Sequence, residues 1–400
     1  MGLALEASSG HATSYRMNSL DDFALTKLSA LESSHLRRWI ADTTPLGGVF
    51  VERGGRRLIS FSSNDYLNFS QHPAIKSAAG DALSQFGVGS GASRLVTGNH
   101  PLYAALETRL ARLKGTEAAC VFGSGYLTNM GVVPTLVGAD DLILIDELSH
   151  ACLWAGAQLA GATVLTFRHN DVAHAAHLLD EHRRQHPRAL MVTDGVFSMD
   201  GDIAPLAELG HLARRFDAWF MCDDAHGLGV VGGGRGSVFA SGTTADVPLQ
   251  MGTLSKAIGG YGGYLCASRS VIDLIKTRAR TLIYSTALPP AIVAGAIAAI
   301  DLISSDPQYA ALPLAKAKAF TRAAGLPEAA SPIVPIIIGE ADKALAESRM
   351  LEEEGFLVVA IRPPTVPIGT ARLRLSFTAE HADDDITRLA DIVRNRVLAG

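Results

Sequence analysis

Apolar runs of strand length recur through the middle of the chain, and helical spacing fills the gaps between most of them. The runs are Ala118–Phe122, Leu142–Ile145, Thr163–Phe167, Leu190–Val192 and Trp219–Cys222, with shorter ones at Leu249–Met251 and Tyr264–Cys266. Pro101–Leu113 puts Leu102, Leu106, Leu110 and Leu113 on one helical face. Pro205–Arg215 is a second helix, with proline where a first turn accepts it. Strands that are apolar throughout need cover on both faces. Separated by helices, these seven runs predict an α/β fold with a mostly parallel seven-stranded sheet.

The flanks read differently. Residues 20–42 carry Leu20, Phe23, Leu28, Leu31 and Leu36 at a rough helical period. A hairpin follows, with Val49–Val51, a Gly54-Gly55 turn and Leu58–Phe61. Ala291–Ile303 is the most apolar helix candidate. It follows Pro289-Pro290, contains Asp301 and is too short for a hydrocarbon core of about 30 Å, so it reads as a core helix. Ser304–Pro332 holds Pro307, Pro313 and Pro327 and reads as linker and helix. Strand-like runs return at Ile333–Ile338, Phe356–Ala360 and Ala371–Phe377, with a helix between the first two and another at the end. The pattern divides the chain into an N-terminal helix and hairpin (1–60), a large domain (61–303) and a small C-terminal α+β domain (304–400).

Composition narrows the class. With 400 residues and 48% hydrophobic content, the chain can bury a large core. The net charge is −5 and no basic stripe is visible, which argues against nucleic acid as a partner. Cys120, Cys152, Cys222 and Cys266 form no C-x-x-C pair and are expected to be buried, reduced thiols of a cytoplasmic protein. Met1–Arg16 has no apolar stretch behind a basic start and is not expected to be a signal peptide. No membrane partner is expected.

Ligands of such sheets sit beyond the carboxyl ends of the strands, so the polar residues after each run are the candidates. After Ala118–Phe122 comes Gly123-Ser124-Gly125-Tyr126, a glycine turn into a helix, suited to a phosphate. After Leu142–Ile145 comes a polar loop ending in His150, and after Leu190–Val192 a loop containing Ser198. After Trp219–Cys222 comes Asp223-Asp224-Ala225-His226. Two adjacent acids repel unless one meets a cation, and a protonated pyridine nitrogen is such a cation. Metal binding by Asp-Asp-x-His lacks a third and fourth ligand, and no metal is expected. After Leu249–Met251 comes Gly252-Thr253-Leu254-Ser255-Lys256. The lysine lies among small and apolar residues, where desolvation frees the amine for a Schiff base. Each signal alone is weak, but the ordered set is what a pyridoxal-phosphate (PLP) enzyme of fold-type I needs. The chain has no G-x-S-x-G elbow, no phosphate loop ending in Gly-Lys and no H-E-x-x-H helix, which argues against the corresponding hydrolase classes.

From Phe61 to Phe377 the chain resembles the α-oxoamine synthases, a family of fold-type I PLP-dependent transferases. The motifs are Phe61–Leu67, Gly87–Leu95, Asp223–Gly227, Gly252–Lys256, Ile283–Thr286 and Ile361–Pro367. Asn68 departs from the glycine often found there. The resemblance implies that Lys256 forms the Schiff base with PLP and Asp223 pairs with the ring nitrogen. It implies that His226 and Ser198 contact the ring hydroxyl, that His150 stacks on the ring, and that Gly125, Tyr126 and Thr253 contact the cofactor, largely at its phosphate end. Thr286 is expected to reach the phosphate of a neighbouring subunit, giving a homodimer with shared active sites. Arg362, helped by Asn64, is expected to hold the amino-acid carboxylate, with Arg37 and Thr365 binding substrate. The segment around Arg362 points to the biotin-pathway branch. That branch is an acyltransferase that condenses L-alanine with pimeloyl-CoA or a pimeloyl carrier protein and loses CO2. Other branches take glycine with acetyl or succinyl thioesters, or serine with a long acyl chain.

Overall fold

The computed structural model of the protein describes residues 19–399; the expectation about Met1–Arg16 lies outside the described residues. The seven central runs all form strands of one sheet. They are β1 (Ala118–Phe122), β2 (Leu142–Asp146), β3 (Thr163–Phe167), β4 (Ala189–Asp194), β5 (Trp219–Asp223), β6 (Leu249–Thr253) and β7 (Gly263–Ala267). Their order is β1-β7-β6-β5-β4-β2-β3. Only β7 runs against its neighbours, pairing antiparallel with β1 and β6; the remaining pairs are parallel.

Helices cover both faces, as the all-apolar strands require. Alternate residues of β1 go to opposite sides. Ala119 and Val121 join Leu106, Leu110, Val293 and Ile300, whereas Ala118, Cys120 and Phe122 join Val132, Val133 and Ile272. The helix Pro290–Ser305 buries Val293, Ala296, Ala299, Ile300 and Ile303, which makes it a core helix. Among the described residues no single helix is long and apolar enough to cross a membrane. All four cysteines are free and buried.

The flanking hairpin forms as Phe50–Arg53 and Arg56–Ser60, turning on Gly54 and Gly55 at φ 57° and 74°, angles that favour glycine. Its second strand pairs in parallel with Phe356–Leu357. The run Phe356–Ala360 is therefore not one strand. Its first two residues join the hairpin sheet, and Ala360–Ile361 crosses to pair with Ala371–Ser376, which also pairs with Ile333–Gly339. The Ser62 hydroxyl accepts from the Val359 N–H at 3.0 Å, between the two pieces, where the ladder is interrupted. The N-terminal helix is shorter than its period suggested. It spans Ser19–Ser33, ends before His35 at φ 57°, and buries none of its residues. Asn68 adopts φ 55°, a left-handed conformation that asparagine tolerates in place of glycine.

Candidate active site

The ladders continue past the apolar runs and carry polar residues with them. Asp146 ends β2, Asp194 ends β4, Asp223 ends β5 and Thr253 ends β6. Asp194 and Asp223 are register partners on adjacent strands, and both are buried. Beside them lies a cleft of about 240 Å³ whose wall includes Gly125, Tyr126, His150, Thr253 and Lys256.

Asp223 is oriented from behind. Its Oδ2 accepts from Asn129 Nδ2 at 2.7 Å and its Oδ1 from the Ala225 N–H at 3.0 Å. A carboxylate has about four acceptor positions, so capacity remains on the side that lines the cleft. Asp224 turns away and meets Lys114 Nζ at 2.7 Å, with both side chains wholly buried. Ser237 Oγ donates to it at 2.5 Å. The adjacent acids thus divide the work, one neutralised within the protein and one presented to a ligand.

Lys256 Nζ stands 2.6 Å from His226 Nε2. Burial lowers the lysine pKa to about 8, opposed by the charge of Asp223 and assisted by Arg374. Burial likewise holds His226 well below the usual imidazole range, reinforced by Lys256 and Arg374, so the ring is neutral. Its Nδ1 lies 2.7 Å from Tyr66 Oη. Arg374 donates to Tyr66 Oη at 3.4 Å, to Asn64 Oδ1 at 3.2 Å and to Ser376 Oγ at 2.8 Å, and its Nε donates to the Ser198 carbonyl. Burial also lowers the pKa of His150, with Asp223 opposing. Asp194 accepts the His150 N–H at 3.2 Å; burial and repulsion from Asp223 push its pKa well above the carboxylate range.

The helix Gly125–Leu136 starts at the cleft, with Ser124 Oγ accepting from the Leu127 N–H at 3.2 Å. A Cβ on Gly263 of β7 would lie 2.5 Å from the Ser124 carbonyl, so glycine there lets strand and helix start meet. The cleft therefore offers an amine for an aldehyde, a carboxylate for a ring nitrogen and a helix start for a phosphate. These residues fit PLP.

The other expected site residues separate into two groups. Thr253 Oγ1 donates to the Gly262 carbonyl at 2.8 Å within the cleft wall. Asn64 and Ser198 do not line the cleft but connect to it through Arg374. Thr286 is exposed and bridged to Ser93, away from the cleft. Arg362 donates to the carbonyls of His35 and Arg37. Arg38 donates to Thr365 Oγ1 at 2.8 Å, and Arg37 pairs with Glu32 at 2.8 Å. Arg37, Arg362 and Thr365 thus gather on the N-terminal segment, outside the cleft lining. Arg374, Tyr66, Asn129, Asp194 and Lys114 were not picked out from sequence. For Arg374 a signal existed: Arg372 and Arg374 alternate with Leu373 and Leu375, so both arginines share one strand face.

Residues 56–393 match the family model of aminotransferase class I and II, and the chain belongs to that family. Its architecture is that of the fold-type I PLP transferases, and its cofactor is PLP. The chain is 68% identical over 349 residues to the 8-amino-7-oxononanoate synthase of Methylocella silvestris, covering 87% of this chain and 99% of the relative. Its fold is similar to a serine palmitoyltransferase from S. paucimobilis solved with bound PLP and myriocin (TM-score 0.89, 28% identity, 96% and 99% of the two chains). It is also similar to the 8-amino-7-oxononanoate synthase of Francisella tularensis (TM-score 0.73, 26% identity, 86% and 98%).

Proposed function

We propose that the protein catalyses the decarboxylative condensation of L-alanine with a pimeloyl thioester, giving 8-amino-7-oxononanoate for biotin synthesis in the cytoplasm. The observation that carries this reading is the meeting of Lys256, Asp223 and His226 at one cleft, with His226 backed by the network of Tyr66, Arg374 and Asn64 behind the cleft wall. The high identity to a synthase of this name supports the choice of substrates.

Bound PLP supplies an electron sink at the amino-acid α-carbon. Lys256 would hold the cofactor through its amine and, as a free amine, would take the alanine α-proton at Nζ. A pKa of about 8 suits that exchange near neutral pH. Asp223 keeps the ring nitrogen protonated, and Asn129 keeps Asp223 aimed. His150, in the cleft wall, would face the cofactor and stabilise negative charge on the thioester carbonyl oxygen as the new carbon–carbon bond forms and the thiol leaves. The carboxylate departs as CO2 and a proton returns to the same carbon.

We assign the alanine carboxylate to Arg374 and Asn64 rather than to Arg362. Arg374 acts electrostatically on both Lys256 and His226, whereas Arg362 is held by backbone carbonyls at the N-terminal segment. Arg362 and Arg38, two guanidiniums that repel each other, suit the carboxylate at the far end of the pimeloyl chain. Arg37 and Thr365 support them. The active unit is a homodimer in which Thr286 completes the neighbour's phosphate site.

The test is a substrate panel. With pimeloyl-CoA, L-alanine should release free thiol at least about tenfold faster than glycine or L-serine at equal concentration. Turnover with glycine or serine alone would overturn the substrate assignment. Replacing pimeloyl-CoA by a pimeloyl carrier protein identifies the acyl carrier.

A further inference from the structure

A further cluster of titratable side chains lies outside the cleft lining. His169, just after β3, stands between two carboxylates. Its Nδ1 is 3.1 Å from Asp146 Oδ1 and its Nε2 is 2.7 Å from Asp202 Oδ2. The Asp146 side chain is wholly buried and that of Asp202 is partly exposed. The ring of Phe197 meets the imidazole in a T-shaped contact, centroids 4.3 Å apart.

Three loops converge on this contact. Asp146 belongs to the loop that ends at His150: it accepts from the Leu148 N–H at 2.9 Å, and the His169 N–H donates to Glu147 Oε1 at 2.8 Å. The Asn170 N–H ties the loop after β3 to Asp146 Oδ2 at 2.8 Å, and Asn170 Nδ2 donates to Asp202 Oδ2 at 2.7 Å. Asp202 closes the third loop, where its carbonyl accepts from the Phe197 N–H at 3.0 Å and Val196 bridges to Ile203. This third loop leaves β4 at Asp194, places Val196 beside it in the cleft wall and gives the Ser198 carbonyl to Arg374.

Carboxylates at both ring nitrogens require both to be donors, which only an imidazolium provides. Burial alone would lower the pKa of His169, but its bonds to Asp146 and Asp202 raise it to about 10. The remaining neighbouring charges are Glu147, on the loop after β2, and the Arg168–Asp171 pair, which satisfies itself at 2.7 Å.

We propose that His169 is a positioning residue for the reaction, a charged crosspiece that fixes the loop presenting His150 against the loop presenting Asp194, Val196 and Ser198. This rests on the reading of the cleft as the PLP site. A neutral imidazole at 169 can donate to only one of the two acids, and a glutamine donates from a single nitrogen rather than from the two ring positions that the acids meet, so one loop is released.

The test compares His169→Gln, Asp202→Asn and the double variant with the wild type, all as holoenzyme. His169→Gln should load PLP fully and keep its KM for alanine within about twofold, while kcat falls about tenfold. The visible circular dichroism of the bound cofactor should change with it, because that signal reports the setting of the ring. Asp202→Asn should shift both readouts in the same direction, and the double variant should be no worse than His169→Gln alone. Unchanged kcat and dichroism in His169→Gln, or additive losses in the double variant, would overturn the proposal. In the apoprotein the side-chain nitrogen shifts of His169 at about pH 8 should be those of an imidazolium; a neutral ring would overturn it as well. A wild type that fails to load PLP would instead strike the reading of the cleft.

Discussion

Arg374 brings a full charge into a site where its residue is 6% exposed, and no carboxylate among the described residues pairs with it. A buried guanidinium without a counter-ion is costly, and a substrate carboxylate relieves that cost when it arrives. The bonds Arg374 already makes to Asn64, Ser376, Ser198 and Tyr66 hold it in place and leave one Nη2 N–H for that carboxylate. Charge-assisted hydrogen bonds of this kind are worth about 1.5–3 kcal/mol each. Arg374→Ala should therefore raise the KM for alanine about 10- to 100-fold, with PLP affinity changed much less. Arg362→Ala should leave the alanine KM near wild type and raise that of the pimeloyl thioester. Steady-state kinetics in each substrate decides between the two arginines: the opposite pattern would return the amino-acid carboxylate to Arg362.

Among the elements, the turn that precedes the helix Asp383–Ile392 couples acid sensitivity to packing. His381 accepts from the Thr378 N–H at 2.9 Å and lies 3.0 Å from the Ser60 carbonyl, to which its other nitrogen donates. Its ring stacks on Phe61 with centroids 3.9 Å apart. This arrangement demands a neutral ring, and burial lowers its pKa from 6.5 to about 4. Above pH 6.5 both folded and unfolded chains are neutral there, and the group contributes no pH dependence. As pH falls from 6.5 towards 4, the unfolded chain takes up a proton that the folded one refuses, so stability is lost, by about 3 kcal/mol at the lower end. His381→Gln should weaken the protein at neutral pH yet lose less stability on acidification. Urea unfolding of both proteins at about pH 7 and about pH 4.5 measures the difference; equal acid losses would show that His381 titrates freely. The same scale explains what the chain disclosed in advance. Six of the seven central strands were legible because they are sealed on both faces or nearly so, and unbroken apolar runs have few other uses; the edge strand Thr163–Phe167 is largely uncovered and was read from its β-branched and aromatic residues. Their polar ends were read as loops, yet Asp194 and Asp223 remain ladder-paired, since backbone hydrogen bonding does not depend on side-chain polarity. The run Phe356–Ala360 misled because hydropathy carries no information about which sheet a residue joins. Lys114 was hidden for another reason. It looks like a solvated helix end, and its partner Asp224 is 110 residues away.

For the whole molecule, the open question in a single chain is what meets its uncovered surface. Tyr284 is 77% exposed, Val96 74% and Leu20 69%. Thr286 follows Tyr284 closely and is bridged to Ser93, just before the segment Arg94–Gly98, so Tyr284 and Val96 belong to one region. A two-fold dimer would cover it twice, because the same patch on both chains meets itself. If Thr286 then serves the neighbour's phosphate, its damage and the loss of Lys256 fall on different sites of a mixed dimer. On this reading Thr286→Glu would place a negative charge at the proposed phosphate site and Lys256→Ala would remove the proposed Schiff-base amine; each homodimer should be inactive. In a heterodimer, the site that keeps Lys256 from the Thr286→Glu chain borrows its threonine from the Lys256→Ala chain and is complete. The other site carries both defects. Random reassortment makes half the dimers mixed, each with one good site, so unfolding and refolding an equal mixture should restore about a quarter of wild-type turnover. Refolding each variant alone should restore none. Full activity in the Thr286→Glu homodimer would remove Thr286 from the phosphate site, and a mixture as dead as its components, with heterodimers demonstrated by mass spectrometry, would put both residues in the same chain's site.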